Sequence, residues 1–130
     1  MRLLLDTHCW LWWLTQPERL GDRARALLAD AANEVEVSVA SAWEIAIKYS
    51  LGKLPLPVPP EEYVPSRLEA CGFGSLPVRQ EHALRVAALP FHHRDPFDRL
   101  LVAQAQLEGL AIVTADPKLG QYEADIIPAR

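Results

Sequence analysis

Apolar residues in this chain come in short unbroken runs, separated by stretches with helical spacing. Residues 2–5 carry Leu3-Leu4-Leu5 and stop at Asp6-Thr7, the pattern of a short buried strand. Thr7 then reads as the cap of a helix over His8 to Leu14, closed by Gln16-Pro17. From Asp22 to Ala31 the apolar positions Ala24, Leu27, Leu28 and Ala31 fall on one helical face. Val35 to Val39 alternates and is β-branched, so it reads as a second strand. A helix starting at Ser38 or Ser41 runs through Leu51 and ends at Gly52. The Pro-rich stretch KLPLPVPPEEY is a surface loop, followed by a helix from Pro60 to Ala70 with Gly72 beyond its end. Phe73 to Val78 is extended, Gln80 to Leu89 helical and Pro90 to Arg94 a loop. A further helix runs from Pro96 to Glu108, and Leu110 to Thr114 is a buried strand after Gly109. Ile126-Ile127 reads as a last edge strand.

Short apolar strands alternating with helices predict an α/β fold, a three-layer α/β/α sandwich around a mostly parallel central sheet. Right-handed crossovers line up the carboxyl ends of the strands along one edge, where ligands bind in such sheets. No internal repeat and no long linker interrupts the pattern, so residues 1–130 are expected to form a single domain.

Composition narrows this reading only a little. Half the residues are hydrophobic, which argues for a core and against disorder. Charged residues break every apolar run well short of a membrane span, and Asp6 splits the one segment that resembles a leader. The chain is therefore read as starting directly in a strand, in the cytoplasm. Cys9 and Cys71 are too few for a disulfide framework and lie among apolar or small residues, as buried free thiols do. The net charge of −4 disfavours a protein that holds nucleic acid by a broad basic surface. Bound cations would invert that sign locally, so a metal-dependent nuclease survives the test.

The acids change the picture more. Asp6 follows the first strand and Asp116 the fourth apolar run; Glu44 sits inside SVASAWEIAIK, and Asp95 and Asp98 inside RDPFDRLLVAQA. Carboxylates embedded in apolar sequence are costly to keep ionised unless something pairs with them. Clustered carboxylates also raise one another's pKa. One shared divalent cation resolves both costs, and hard Mg²⁺ or Mn²⁺ selects oxygen ligands. Competing readings exist for two of these acids: Asp95 before Pro96 is a natural helix cap, and Glu44 can pair with Lys48 at i, i+4.

Four segments, LLLDTHCWLWWL, SVASAWEIAIKYSLGKL, PFHHRDPFDRLLVAQAQ and GLAIVTADPKL, resemble the PIN-domain family, specifically its VapC-type toxin ribonucleases. They mark out nearly the whole chain in the family's order. The resemblance implies an endoribonuclease dependent on Mg²⁺ or Mn²⁺, with Asp6, Glu44, Asp98 and Asp116 as its catalytic and metal-holding acids and Asp95 assisting. It also implies an RNA substrate, a cognate antitoxin that blocks the site, with an Arg-bearing tail, and a homodimer. Thr7 and Thr114 would steady the neighbouring acids, and Arg99 would pair with an acid or steady a phosphate.

His92-His93-Arg94 reads as a mobile basic loop beside the site, and His8 and His82 carry no signal of their own. Trp10, Trp12 and Trp13 cannot all enter one small core, so one is expected inside and at least one outside. Two other functions remain open. A phosphatase working through an aspartyl phosphate would normally carry a second Asp two residues after Asp6, where this chain has His8. A non-catalytic module could use the acidic pocket to grip a basic peptide.

Overall fold

The computed structural model covers residues 1–130. Five strands form one sheet in the order β3-β2-β1-β4-β5, with every neighbouring pair parallel. They are β1 (Arg2–Leu5), β2 (Glu34–Ser38), β3 (Gly74–Leu76), β4 (Ala111–Thr114) and β5 (Ile126–Pro128). The helices are α1 (Thr7–Thr15), α2 (Asp22–Ala29), α3 (Val39–Ser50), α4 (Pro60–Cys71), α5 (Gln80–Arg85) and α6 (Pro96–Glu108), with 3₁₀ turns at Pro17–Arg19, Val86–Ala88 and Pro117–Gln121.

The alternation along β1 sorts the core into two layers. Leu3 and Leu5 face one way, with Val35, Val37 and Val113, onto Cys9 and Trp10 of α1 and Ala24 and Leu28 of α2. Leu4 faces the other way, with Ile112, onto Leu101, Val102 and Ala105 of α6. This is the expected α/β/α sandwich, and its sheet is wholly parallel.

The chain adds β2 and then β3 on one side of β1, and returns to add β4 and β5 on the other. The order therefore reverses between β1 and β4, and a crevice opens beyond their carboxyl ends. Register carries β1 and β4 to that edge together: Leu5 is level with Val113, and the Asp6 N–H donates to the Val113 carbonyl at 3.1 Å.

Local capping sets where the helices begin. Asp6, not Thr7, caps α1: its Oδ1 accepts the His8 N–H at 2.8 Å. Thr7 is already helical, and its hydroxyl donates to Ser41 Oγ of α3 at 2.7 Å. Both residues are cap formers, and Asp prevails because its carboxylate reaches the N–H two residues on. Ser38 caps α3 in the same way. Asp95 caps α6, accepting from Phe97 N at 2.8 Å and Asp98 N at 3.3 Å. At the other end of α6, Gly109 takes φ +67°, a conformation that suits a residue without Cβ.

Trp10 is fully buried, whereas Trp12 and Trp13 are half-buried. The guanidinium groups of Arg19 and Arg130 lie 5.0 and 4.8 Å from the Trp12 ring centroid. No helix is long and apolar enough to cross a membrane.

Candidate functional site

A crevice of about 370 Å³ at the switch point collects Asp6 from the end of β1, Asp116 from the turn after β4, and Asp95 and Asp98 from the start of α6. His93 from the preceding loop lines it as well. Four of the five acids singled out in the sequence thus share one cleft. Glu44 does not line it. Its side chain is nonetheless buried and near enough to Asp98 to raise that group's pKa, while its Oε2 holds Lys48 Nζ at 2.8 Å. Both readings of Glu44 therefore hold: it belongs to the acid cluster electrostatically, and it has a helical partner one turn on.

Each carboxylate is held by specific donors. Asp6 spends Oδ1 on the cap of α1 and accepts the Thr114 hydroxyl on Oδ2 at 2.7 Å. The same Thr114 oxygen accepts the Asp116 N–H at 3.1 Å, so one buried hydroxyl ties together the loops that carry Asp6 and Asp116. Asp116 Oδ1 accepts from Lys118 N at 2.9 Å, and Oδ2 faces His93 Nε2 at 2.7 Å. Asp98 Oδ2 lies 3.1 Å from the same nitrogen.

These surroundings pull the two acids apart. Burial, reinforced by the charges of Asp6, Asp95 and Glu44, pushes Asp98 up to about 7, with His93 offsetting part of the rise. Asp116 goes the other way. Burial raises its pKa, but the Lys118 N–H and His93 more than offset this, so it stays ionised below the usual carboxylate range. Beneath them, burial and the Asp6 charge push the Cys9 thiol up to about 12, which makes it an inert core residue.

Two expectations are not met. Arg99 pairs with no acid. It is buried, and its guanidinium donates to the carbonyls of Val86, Pro90, Leu89 and His93 while lying 4.2 Å from the Phe91 ring centroid. Placed inside the fold with no carboxylate in reach, it satisfies itself on backbone oxygens and clasps the 86–93 segment. Within that loop His92 and Arg94 are exposed, as a basic loop requires, but His93 is not free. His93 is only 11% exposed at its side chain; its N–H donates to the Tyr122 hydroxyl at 3.0 Å, and its Nδ1 accepts the Asp95 N–H at 3.0 Å. The sequence signal for His93 was its place two residues before a capping Asp, where a side chain can accept that residue's N–H.

The donor set suits a hard divalent cation. The carboxylate oxygens of Asp98 and Asp116 lie within 4.8 Å of each other and of the His93 ring nitrogen, and burial, together with the charges of Asp6, Asp95 and Glu44, raises the pKa of Asp98, a cost that a cation would relieve.

Comparison with known proteins bears on the family and the fold. The family profile of the PIN domain matches residues 3–125. Ribonuclease VapC16 of Mycobacterium tuberculosis is 49% identical over 61 residues, 47% of this chain and 43% of that protein, so the match spans under half of that relative's length. Ribonuclease VapC22 of the same organism is 30% identical over 121 residues, 92% of this chain and 91% of that protein. Among solved structures, VapBC2 from Rickettsia felis bound to a DNA fragment from their promoter superposes over 100% of both chains with a TM-score of 0.72. At 16% identity that likeness is one of fold.

Proposed function

The chain belongs to the PIN domain family, and on that footing we propose that it is an endoribonuclease dependent on Mg²⁺ or Mn²⁺, the toxin of a toxin–antitoxin pair. The observation that carries this reading is the convergence of Asp6, Asp98 and Asp116 at the switch point, with Asp98 driven up to about 7 by burial and its acidic neighbours. A scaffold has no use for so much uncompensated charge in one cleft; a metal-dependent hydrolase requires it.

Asp6, Asp98 and Asp116 would hold the cation, with Glu44 adding negative potential from behind. A bound divalent ion would supply Lewis-acid stabilisation of the phosphodiester and a more acidic water. The chain's own residues do the rest. Thr114 fixes the distance between Asp6 and Asp116 by bonding to both loops. Asp95 sets the pitch of the first turn of α6 and so the aim of Asp98. Trp12, which lines the crevice and carries the charges of Arg19 and Arg130, gives the acidic cleft a cationic rim for a phosphate backbone. The RNA substrate is therefore compatible with the net charge of −4.

The antitoxin partner follows from the same reading. An apolar groove of about 500 Å³ between α3 and α4, lined by Ala42, Ala46, Tyr49, Val64 and Pro65, offers a surface for a protein chain. An Arg-bearing tail would then reach the carboxylates, where a guanidinium fits bidentately. The homodimer implied by the resemblance belongs to this proposal too.

The test is cleavage of a mixed RNA pool by purified protein. Activity should vanish with a chelator and return with Mg²⁺ or Mn²⁺. Cleavage that survives both chelation and Asp6→Asn would sink the reading.

A further inference from the structure

His93 is held so that only one of its nitrogens can face the acids as a donor. A backbone N–H can only donate, and the Asp95 N–H points at Nδ1 from 3.0 Å. Nδ1 must therefore be the accepting nitrogen, and in a neutral imidazole the proton then sits on Nε2. That N–H faces Asp116 Oδ2 at 2.7 Å and Asp98 Oδ2 at 3.1 Å. A ring in this state has no lone pair on Nε2 to give to a metal. Ligation through Nε2 would require the proton to move to Nδ1, where it would meet the Asp95 N–H head on.

We propose that His93 is a latch rather than a ligand: its Nε2–H fills the gap between Asp98 and Asp116, and the ring must swing out for a divalent cation to bridge them. This rests on the reading of the crevice as a cation site. The latch is built to move at the side chain alone. The backbone around it is pinned by the Tyr122 hydroxyl on the His93 N–H and by Arg99 on the carbonyls of Val86, Pro90 and His93. Only rotation about the side-chain bonds releases the ring, and it costs the bond to Asp95. The Nε2–H thereby offsets the repulsion between the two carboxylates, and a cation would be bound only in exchange for that hydrogen bond.

Two measurements test this without reference to cleavage. Long-range ¹⁵N–¹H spectra of chelated protein at pH 8 should show His93, identified by its loss in His93→Asn, as the Nε2–H tautomer. The Nδ1–H tautomer would overturn the proposal. Calorimetry with Mn²⁺ then separates latch from ligand. His93→Ala and His93→Asn, the latter keeping an acceptor for the Asp95 N–H but too short to bring its amide donor to the carboxylates at the same time, should bind Mn²⁺ about tenfold more tightly than the native chain, and His93→Gln, whose longer amide carries a donor to them, should stay within about twofold. Weaker binding in the Ala and Asn variants marks His93 as a ligand and overturns the latch, as does unchanged binding. If neither the native chain nor any variant binds Mn²⁺, the cation reading itself falls, and the latch with it.

Discussion

Two histidines occupy the same kind of seat in this fold. His82 Nδ1 accepts the Arg79 N–H at 2.9 Å, and His93 Nδ1 accepts the Asp95 N–H at 3.0 Å. Each then turns Nε2 toward carboxylate: His82 toward Glu108 at 2.8 Å, His93 toward Asp116 at 2.7 Å and Asp98 at 3.1 Å. The difference lies in the balance of partners. His82 is fully buried and meets one acid, while nearby Glu81 is exposed and paired with Arg79 at 3.9 Å. One donor meets one acceptor within hydrogen-bond reach, and the second acid of that group, Glu81, within 4.8 Å, is answered by Arg79. At His93 a single N–H faces two carboxylates, with Asp6, Asp95 and Glu44 all adding repulsion. A buried His–acid contact is thus structural where the count closes and functional where acid is in excess.

The sharpest way to break that comparison is to remove one acid from the crowded seat. Asp98→Asn should cut metal-dependent RNA cleavage by roughly a thousandfold, the scale of losing an electrostatic stabiliser. The fold should survive, because Asn can still accept from His93. Full activity in a protein free of contaminating nuclease would show that the excess charge has no catalytic meaning. The opposite outcome is expected at the balanced seat. His82→Ala should lower stability by about 2–4 kcal/mol, since it leaves a cavity and strands the Arg79 N–H and Glu108. Cleavage per folded molecule should not change. Denaturant melts together with an active-site titration read both quantities; lost cleavage without lost stability would reverse the two assignments.

Burial and acid excess together also have a pH signature. In the fold Asp98 keeps its proton up to about 7, against 3.8 for an ordinary Asp. Between those values the folded state binds a proton that the unfolded chain does not. The stability this group contributes is therefore complete below about pH 3.8 and is lost as pH rises toward 7. Asp116, whose pKa is lowered, acts in the opposite sense and only at the acid end, so of these two acids only Asp98 acts in the window from about 4 to 7. Chelated protein should lose about 1–3 kcal/mol across it, allowing for solvent screening. Asp98→Asn should flatten the slope, and Mg²⁺ at pH 8 should restore the loss in the native chain. Thermal melts across pH with and without Mg²⁺ check all three; parallel slopes for the two proteins would place the titration elsewhere.

The balanced and crowded seats were not equally legible in the amino-acid sequence. Asp6 and Asp116 announce themselves because each ends an apolar run, and a parallel sheet brings such ends to one edge. The layers followed from short apolar strands alternating with helices. What stayed hidden depends on contacts between distant residues. His93 reads as part of a basic loop until Tyr122 and Arg99 are seen to pin it, 29 and 6 residues away. Arg99 reads as a phosphate or carboxylate partner until its burial leaves it only carbonyls. Thr7 and Asp6 are adjacent cap formers, and only the hydroxyl of Ser41, 34 residues on, shows where the Thr7 side chain goes.

The smallest expected effect is the most discriminating, because it falls on the residue with two explanations. Asp95 lines the crevice and raises the pKa of Asp98, as an acid of the site would. It also caps α6 through Oδ1 and presents the N–H that fixes the His93 ring. Asn is as good a cap as Asp and keeps the same backbone N–H, so Asp95→Asn removes the charge and nothing else. Cleavage should fall by only about threefold, stability should stay within about 0.5 kcal/mol, and the pKa of Asp98 should move down as one repelling neighbour is lost. Asp95→Ala should instead cost about 1 kcal/mol for the lost cap. Single-turnover cleavage, with the Asp98 carboxyl followed by carbon-detected titration, reads the two roles separately. A loss in Asp95→Asn as deep as in Asp98→Asn would make Asp95 a holder of the cation, and the crowded seat would then count three essential acids around His93 instead of two.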